Sequence, residues 1–457
     1  MIIRVAIVTL ALFAVLGADC EKVTNLSTHS SPSAAYVCAH DDVLSSKDIE
    51  TIQKIKSVLV ASENYLDIEY ETFVPKPAHM WSTGQRILLI DHGMHALAYT
   101  RYKQRVLDFL DFDEHGALTT STHALKMHRG RRIIFSEIIG NDHPYIPARK
   151  INDLNLSAEI SQKFPATDLV GHGTPIFGIL AEHNPKAEFV ISQLPNLVAW
   201  PFKDHFCSPS TESLSRISSL FESASNALLA AIHRHDLNFI QYAENATFDA
   251  FNGQFVETCK SIAYDQRADW IRHVQRAHLK HFVKPLTHIP EVILVQAGAS
   301  SNYKLNKGDK NFWMDCASFQ NRLRVGALNK VTPGLPIEGT NRIDLLPPNQ
   351  RNAEACVDLF VNSGVNYEWP KFDALLDWQA APHAIKFSDD GLTEVAYTGL
   401  KPSWAAPVAL SYLIYLKNTL PPGTTAKELL AHANNNGSGK IKDPAFFAQF
   451  EKCHYKQ

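Results

Sequence analysis

A three-layer α/β fold, with a mostly parallel central sheet flanked by helices, is predicted by three features of the sequence. From Ile87 onward short apolar runs alternate with helical patterns, as in a parallel sheet and its crossover helices. The run Ile87-Leu88-Leu89-Ile90 has no polar alternation, as a strand buried on both faces requires. It ends on Asp91, so a carboxylate stands at the strand's C-terminal edge, where open α/β sheets place their sites.

The remaining elements follow in order. Gly171-His172-Gly173-Thr174-Pro175 reads as a helix entry, with Thr174 suited to the N-cap and Pro175 to the first helical position. Phe189–Ser192 and Asn238–Tyr242 read as strands. Between them, Thr211–Ile232 spaces Leu214, Ile217, Leu220, Phe221, Ala224, Leu228 and Ile232 along one helical face, with Ser208-Pro209 ahead as an entry. Ser261–Phe282 predicts another helix, and Trp404–Leu416 an almost wholly apolar one that must be buried, with Ser403 at its mouth. The polar stretches Asp111–Arg132 and Asp142–Thr167 read as surface loops.

The N-terminal residues have a separate organisation. Met1–Ala18 has the build of a signal peptide: Arg4, an apolar core from Val5 to Leu16, and a small-residue exit. Its apolar run of roughly twelve residues is short of the roughly 20 a membrane span needs, and no other stretch is long and apolar enough. Asp19 occupies the position where lipid attachment at Cys20 would want a small residue. The predicted localisation is therefore secreted or periplasmic. Residues 19–80 form an N-terminal extension, with a polar start at Ser27–Ser33. Ser46–Tyr65 then has helical spacing, placing Ile49, Ile52, Ile55, Val58 and Leu59 on one side. Residues 81–457 form the main domain.

With 457 residues, 45% hydrophobic and 20% charged, the chain can bury a large core and is not disordered. A formal net charge of -3 and a pI near 6.7 leave no basic footprint for nucleic acid. Seven cysteines at wide, irregular spacing suit disulfides outside the cytosol better than a zinc site; the odd count leaves at least one unpaired or intermolecular. Asn25, Asn155, Asn245 and Asn436 begin glycosylation-type sequons. Gly437-Ser438-Gly439-Lys440 lacks the first glycine and final hydroxyl of a phosphate loop, and no His-Glu-x-x-His or Gly-x-Ser-x-Gly motif occurs. His273, His278 and His281 share a predicted helix, whose solvated or half-buried face is favoured over a metal site.

Asp91, His172 and Ser403 supply the three parts of an activated serine: an orienting carboxylate, a base and an attacking oxygen. A serine hydroxyl is a weak nucleophile until a base stands within hydrogen-bond reach, and that base needs its second nitrogen held. Singly, each residue could be a strand-end cap, a loop histidine or a plain N-cap. Their order and flanking glycines favour one site.

At Asp91-His92-Gly93, Gly171-His172-Gly173-Thr174 and Ser403-Trp404-Ala405-Ala406-Pro407 the chain resembles the subtilisin-like serine proteases. The resemblance implies a subtilisin-like fold, with Asp91 as orienter, His172 as general base and Ser403 as nucleophile of an acyl-enzyme. Val292–Gly298, Leu323–Ala327 and Val357–Phe360 resemble further strands of that family. Similarity runs intermittently from about Arg86 to about Leu416. The implied partner is a protein or peptide substrate, and catalysis requires no cofactor. A structural calcium ion is common in the family, but no carboxylate-rich loop identifies a site here.

The chain also departs from the family pattern. Ala299 stands where the oxyanion-hole asparagine is expected, with Asn302 and Gln296 the nearest amides. Lys401-Pro402 replaces Gly-Thr ahead of the nucleophile, and Ala243-Glu244-Asn245 replaces the Ser-Leu-Gly substrate strand. Three readings follow: a secreted endopeptidase or transpeptidase, a catalytically weak or inactive relative that binds peptides or a partner protein, and a hydrolase of esters.

Overall fold

The computed structural model describes residues 46, 49–50, 53–54, 57, 67–73, 85–93, 105–113, 117–120, 123–129, 172–184, 186–194, 202–243, 248–259, 263–298, 319–328, 357–362, 385–387, 394–396 and 402–435. The chain divides into two units, Met1–Val37 and Cys38–Gln457, and every described residue lies in the second. The expected signal peptide, the stretch Asp142–Thr167, Ala299 and Asn302 lie outside the described residues.

The strands are β1 (Ile68–Phe73), β2 (Arg86–Asp91), β3 (Val106–Phe112), β4 (Leu118–Thr120), β5 (His123–His128), β6 (Glu188–Gln193), β7 (Phe239–Tyr242), β8 (Ile293–Ala297), β9 (Arg322–Leu328), β10 (Leu359–Asn362), β11 (Ile385–Phe387) and β12 (Glu394–Ala396). The helices are α1 (Gly173–His183), α2 (Phe202–Phe206), α3 (Thr211–His235), α4 (Phe248–Thr258), α5 (Tyr264–His278), α6 (Pro402–Thr419) and α7 (Ala426–Asn435). After α5 the chain continues through a π-helical turn, Leu279–Val283, and a last turn, Lys284–Leu286.

Eight strands form the main sheet in the order β10-β9-β8-β7-β2-β6-β3-β4. All neighbours pair in parallel except the edge strand β4, antiparallel to β3. The chain places β3 and β6 on one side of β2, then crosses to build β7 to β10 on the other. The C-terminal end of β2 is therefore a topological switch point, where the connections diverge and leave a crevice. Asp91 is its last residue.

Strand β2 serves two cores. Ile87 and Leu89 pack with α1, α6 and α7, whereas Leu88 and Ile90 pack with α3, α4 and α5. The unbroken apolar run is what a strand covered on both faces needs, since successive side chains point to opposite layers. Helix α3 begins at Ser210, whose Oγ accepts from the Ser213 N–H, and ends at Asp236 with a left-handed φ of 51°. Its predicted stripe is buried at Ile217, Phe221, Ala224, Leu228 and Ile232. Helix α6 is buried all round from Ser403 to Ile414, so it carries apolar residues on every face. Pro407 has no N–H, so the Ser403 carbonyl lacks its usual partner one turn on.

Three expectations are corrected. Asp111–Arg132 is not all loop: its described residues hold the end of β3, then β4 and β5, and β5 pairs antiparallel with β1 as a separate two-stranded sheet. These strands depend on tertiary pairing, and edge positions admit the polar residues that suggested a loop. Strand β1 lies within residues 19–80 and β5 beyond them, so this small sheet pairs residues from both sides of the expected boundary. Within Ser46–Tyr65 the described residues Ser46, Ile49, Glu50, Gln53, Lys54 and Ser57 are helical, as the spacing predicts, and exposed, Ile49 at 42%.

The other two corrections concern helices. Helix α1 begins at Gly173 rather than after Thr174, with His172 as its N-cap residue in helical φ/ψ and no side-chain cap. Pro175 still lies in the first turn, where its missing N–H costs nothing. Near the end of α5, His278 is fully buried among Phe221, Tyr242, Phe251 and Phe282, not on a solvated face.

One disulfide joins described residues: Cys207, after α2, bonds Cys259, after α4, with Cα atoms 5.1 Å apart. No helix of the described residues is long and apolar enough to cross a membrane.

Candidate active site

Strand β2 delivers the Asp91 carboxylate to the sheet edge with its side chain wholly buried. The chain must turn immediately, and Gly93 does so at φ 61°, a region open to glycine at little cost. The turn is tied to α1 by the Gly173 N–H donating to the His92 carbonyl at 2.9 Å, and by the Thr174 hydroxyl reaching the Gly93 carbonyl at 3.4 Å. Asp91 and His172, 81 residues apart in sequence, are thereby mounted on one rigid junction.

His172 Nδ1 lies 2.7 Å from Asp91 Oδ1. An ionised carboxylate only accepts, so Nδ1 donates here, and the lone pair that makes the ring a base is the one at Nε2. The same Oδ1 accepts from the His92 backbone N–H at 2.7 Å, and His92 Nδ1 stands 3.3 Å from it. Burial pushes the Asp91 carboxyl upward, but the charge of His172 and the hydrogen bonds from His172 and His92 outweigh it. The carboxyl is held below its ordinary value. Oδ2 is buried and has no hydrogen-bond partner among the described residues.

Two rings flank the His172 imidazole. His92 stacks on it at 4.9 Å with planes 5° apart, and Trp404 lies against it at 5.6 Å and 40°. Trp404 directly follows Ser403, so the mouth of α6 adjoins the imidazole. Ser403 is 8% exposed in that first turn. Its backbone N–H is among the groups that an α-helix leaves without an intrahelical acceptor.

The structure thus joins Asp91 and His172 directly and brings the start of α6 beside them through Trp404. No hydrogen bond links Ser403 Oγ to His172 among the described residues. Two strands from β2 in the sheet, Gly298 directly follows β8, and its N–H donates to the Val325 carbonyl at 2.8 Å. A Cβ on Gly298 would meet that carbonyl oxygen at 3.1 Å and Val357 at 3.3 Å, which accounts for the glycine. Gln296, one candidate substitute amide, is fully buried and accepts from Arg322 Nε at 2.8 Å within the sheet.

Two participants were not singled out from sequence: His92 and Trp404. The available signal was adjacency, since each follows a predicted site residue. Asp91, His92 and His172 also form the one cluster of three metal-ligand types among the described residues, each offering a donor atom within 4.8 Å of the others. Two imidazoles and one carboxylate suit zinc-like ions; calcium prefers an all-oxygen set.

No protein-family model matches the chain, and no curated protein matches it significantly. Among solved structures, matches to subtilisin-like serine proteases cover about four-fifths of the chain. A cold-adapted subtilisin-like serine proteinase is 11% identical, covering 78% of this chain and 83% of its own, with a TM-score of 0.34. The psychrophilic protease S41 is 10% identical over 77% and 82%, with a TM-score of 0.32. A lanthipeptide protease is 11% identical over 81% and 88%, with a TM-score of 0.36.

Proposed function

We propose that this chain is a secreted serine endopeptidase of the subtilisin-like kind, hydrolysing peptide bonds through an acyl-enzyme on Ser403. The observation that carries the reading is the 2.7 Å bond from His172 Nδ1 to Asp91 Oδ1, with the residue after Ser403 packed on that imidazole. The bond fixes the tautomer and leaves Nε2 as the base. Nε2 takes the Ser403 proton as Oγ attacks the scissile carbonyl carbon, and Asp91 balances the imidazolium that forms. The proton then passes to the leaving amine, and water repeats the sequence to free the acid. The Ser403 backbone N–H and the positive end of α6 stabilise the oxyanion. The Met1–Ala18 segment supports secretion, and the Cys207–Cys259 disulfide suits an oxidising compartment.

A second reading, a peptide-binding relative with weak or lost catalysis, draws on Ala299 in the sequence and on the 8% exposure of Ser403. A fluorophosphonate distinguishes the two. The endopeptidase gains one adduct in intact mass, mapped to Ser403 and absent from Ser403→Ala. An unlabelled wild-type protein refutes the endopeptidase reading. Peptide and ester substrates offered in parallel then separate a peptidase from an esterase.

A further inference from the structure

We infer that Asp91, His92 and His172 form a binding site for one borderline divalent metal ion, zinc by ligand chemistry, and that its binding silences the hydrolytic site. The silencing rests on the peptidase reading; the binding does not.

The donor set comes first. Asp91 Oδ1 stands 2.7 Å from His172 Nδ1 and 3.3 Å from His92 Nδ1. Ligands at zinc distances on a tetrahedron are separated by roughly 3.3 Å, so both pairs lie near a coordination edge before any ion arrives. One donor atom from each residue lies within 4.8 Å of the other two. Closing the widest gap takes about 1.5 Å. Binding also turns the His92 ring out of its stack on His172, since an ion lies in the plane of each imidazole that ligates it; the His92 side chain is 41% exposed and stands on the turn after β2. The carboxylate anchor cannot move, being wholly buried on the central strand.

A second observation points to a ligand. Asp91 Oδ2 is buried without a partner among the described residues, so the carboxylate whose Oδ1 meets both imidazoles keeps its second oxygen unused. A cation on this carboxylate compensates that acceptor, and water fills the remaining coordination position.

The effect on chemistry follows from the tautomer. In the working site Nδ1 of His172 holds the proton and Nε2 the lone pair. A metal on Nδ1 needs the lone pair there, so the ring proton moves to Nε2 with no net change in protonation. The nitrogen that must accept the Ser403 proton then already carries one. The ion also takes the carboxylate that would balance the imidazolium. Hydrolysis stops without any block over Ser403.

The test titrates Zn²⁺ into the full chain, freed of metal, against a chromophoric chelator, with Co²⁺ as a spectroscopic probe. Wild type and Ser403→Ala should each bind one tight equivalent and give the same Co²⁺ visible bands. His92→Ser and Asp91→Asn should each weaken that equivalent at least about tenfold and lose the bands. The two substitutions change different elements, so either variant that keeps the wild-type far-UV spectrum suffices. No tight equivalent in wild type, or one indifferent to both substitutions, overturns the site. Hydrolysis, each variant scaled to its own metal-free rate, should fall with zinc occupancy in wild type and return with chelator. Full hydrolysis at saturating zinc overturns the silencing. Zinc binding that depends on His92 in a protein the fluorophosphonate never labels upholds the metal site and removes only the peptidase reading.

Discussion

Lowering the pH should destabilise this protein through His278, far from the candidate active site. The ring is 1% exposed, edge-on to Phe221 at 5.1 Å and stacked with Phe282 at 5.3 Å. Tyr242 Oη lies 3.2 Å from Nε2, and Nδ1 has no hydrogen-bond partner among the described residues. Burial, with the Arg322 charge adding to it, lowers the pKa from 6.5 to about 3. The folded value is depressed, so below pH 6.5 the unfolded chain binds a proton that the folded chain refuses. Stability is present in full above that value and falls as the pH drops toward 3. At about pH 5 the folded ring is still neutral, so the loss depends only on the unfolded pKa and comes to roughly 2 kcal/mol.

The assay is urea unfolding followed by tryptophan fluorescence at about pH 7 and about pH 5. Other groups titrate over that range, so the quantity to read is the difference of differences. His278→Leu and His278→Gln should each lose about 2 kcal/mol less between the two pH values than wild type does, whatever their offset at neutral pH. Equal losses in all three proteins would refute the reasoning, since His278 would then be protonated in place or able to reach water.

Other expected outcomes concern the site and the scaffold. Asp91→Asn should keep the fold while cutting hydrolysis by about 10⁴-fold, the scale of the tautomer defect, checked by kcat/KM beside the far-UV spectrum. Ser403→Ala and His172→Ala should each remove nearly all turnover, and the double variant should be no worse, because the two act as one unit. Ala299→Asn should raise the acylation rate by up to about 10²-fold if the oxyanion hole lacks a donor; that magnitude is subtilisin's own. A neutral or harmful result, with Asn302→Ala damaging, would place the donor at Asn302. Replacing Cys207 and Cys259 together by serine should cost about 2–4 kcal/mol, since the bridge spans 52 residues of sequence and constrains a long loop of the unfolded chain. Urea midpoints measure it.

What the sequence by itself determined is the part written in local chemistry. An unbroken apolar run is stable only between two helical layers, so Ile87–Ile90 announced a central strand and Asp91 its edge. An apolar helix with no polar face has nowhere to lie but inside, which located α6 and Ser403 at its start. Gly93 and Pro175 marked a tight exit and a helix entry because each imposes or permits a narrow range of backbone angles.

Only the tertiary structure decided the rest. Strands β3, β4 and β5 exist because β6 and β1 supply partners to segments whose own pattern is ambiguous. His278 looked like a surface residue until α3, α4 and β7 enclosed it, for helical spacing says which residues share a face but not what covers that face. The convergence of His92 and His172 on one carboxylate oxygen depends on hydrogen bonds between a strand exit and a helix start 81 residues apart. A spacing along the chain does not contain that geometry; the packing of α1 and α6 on one face of the sheet creates it.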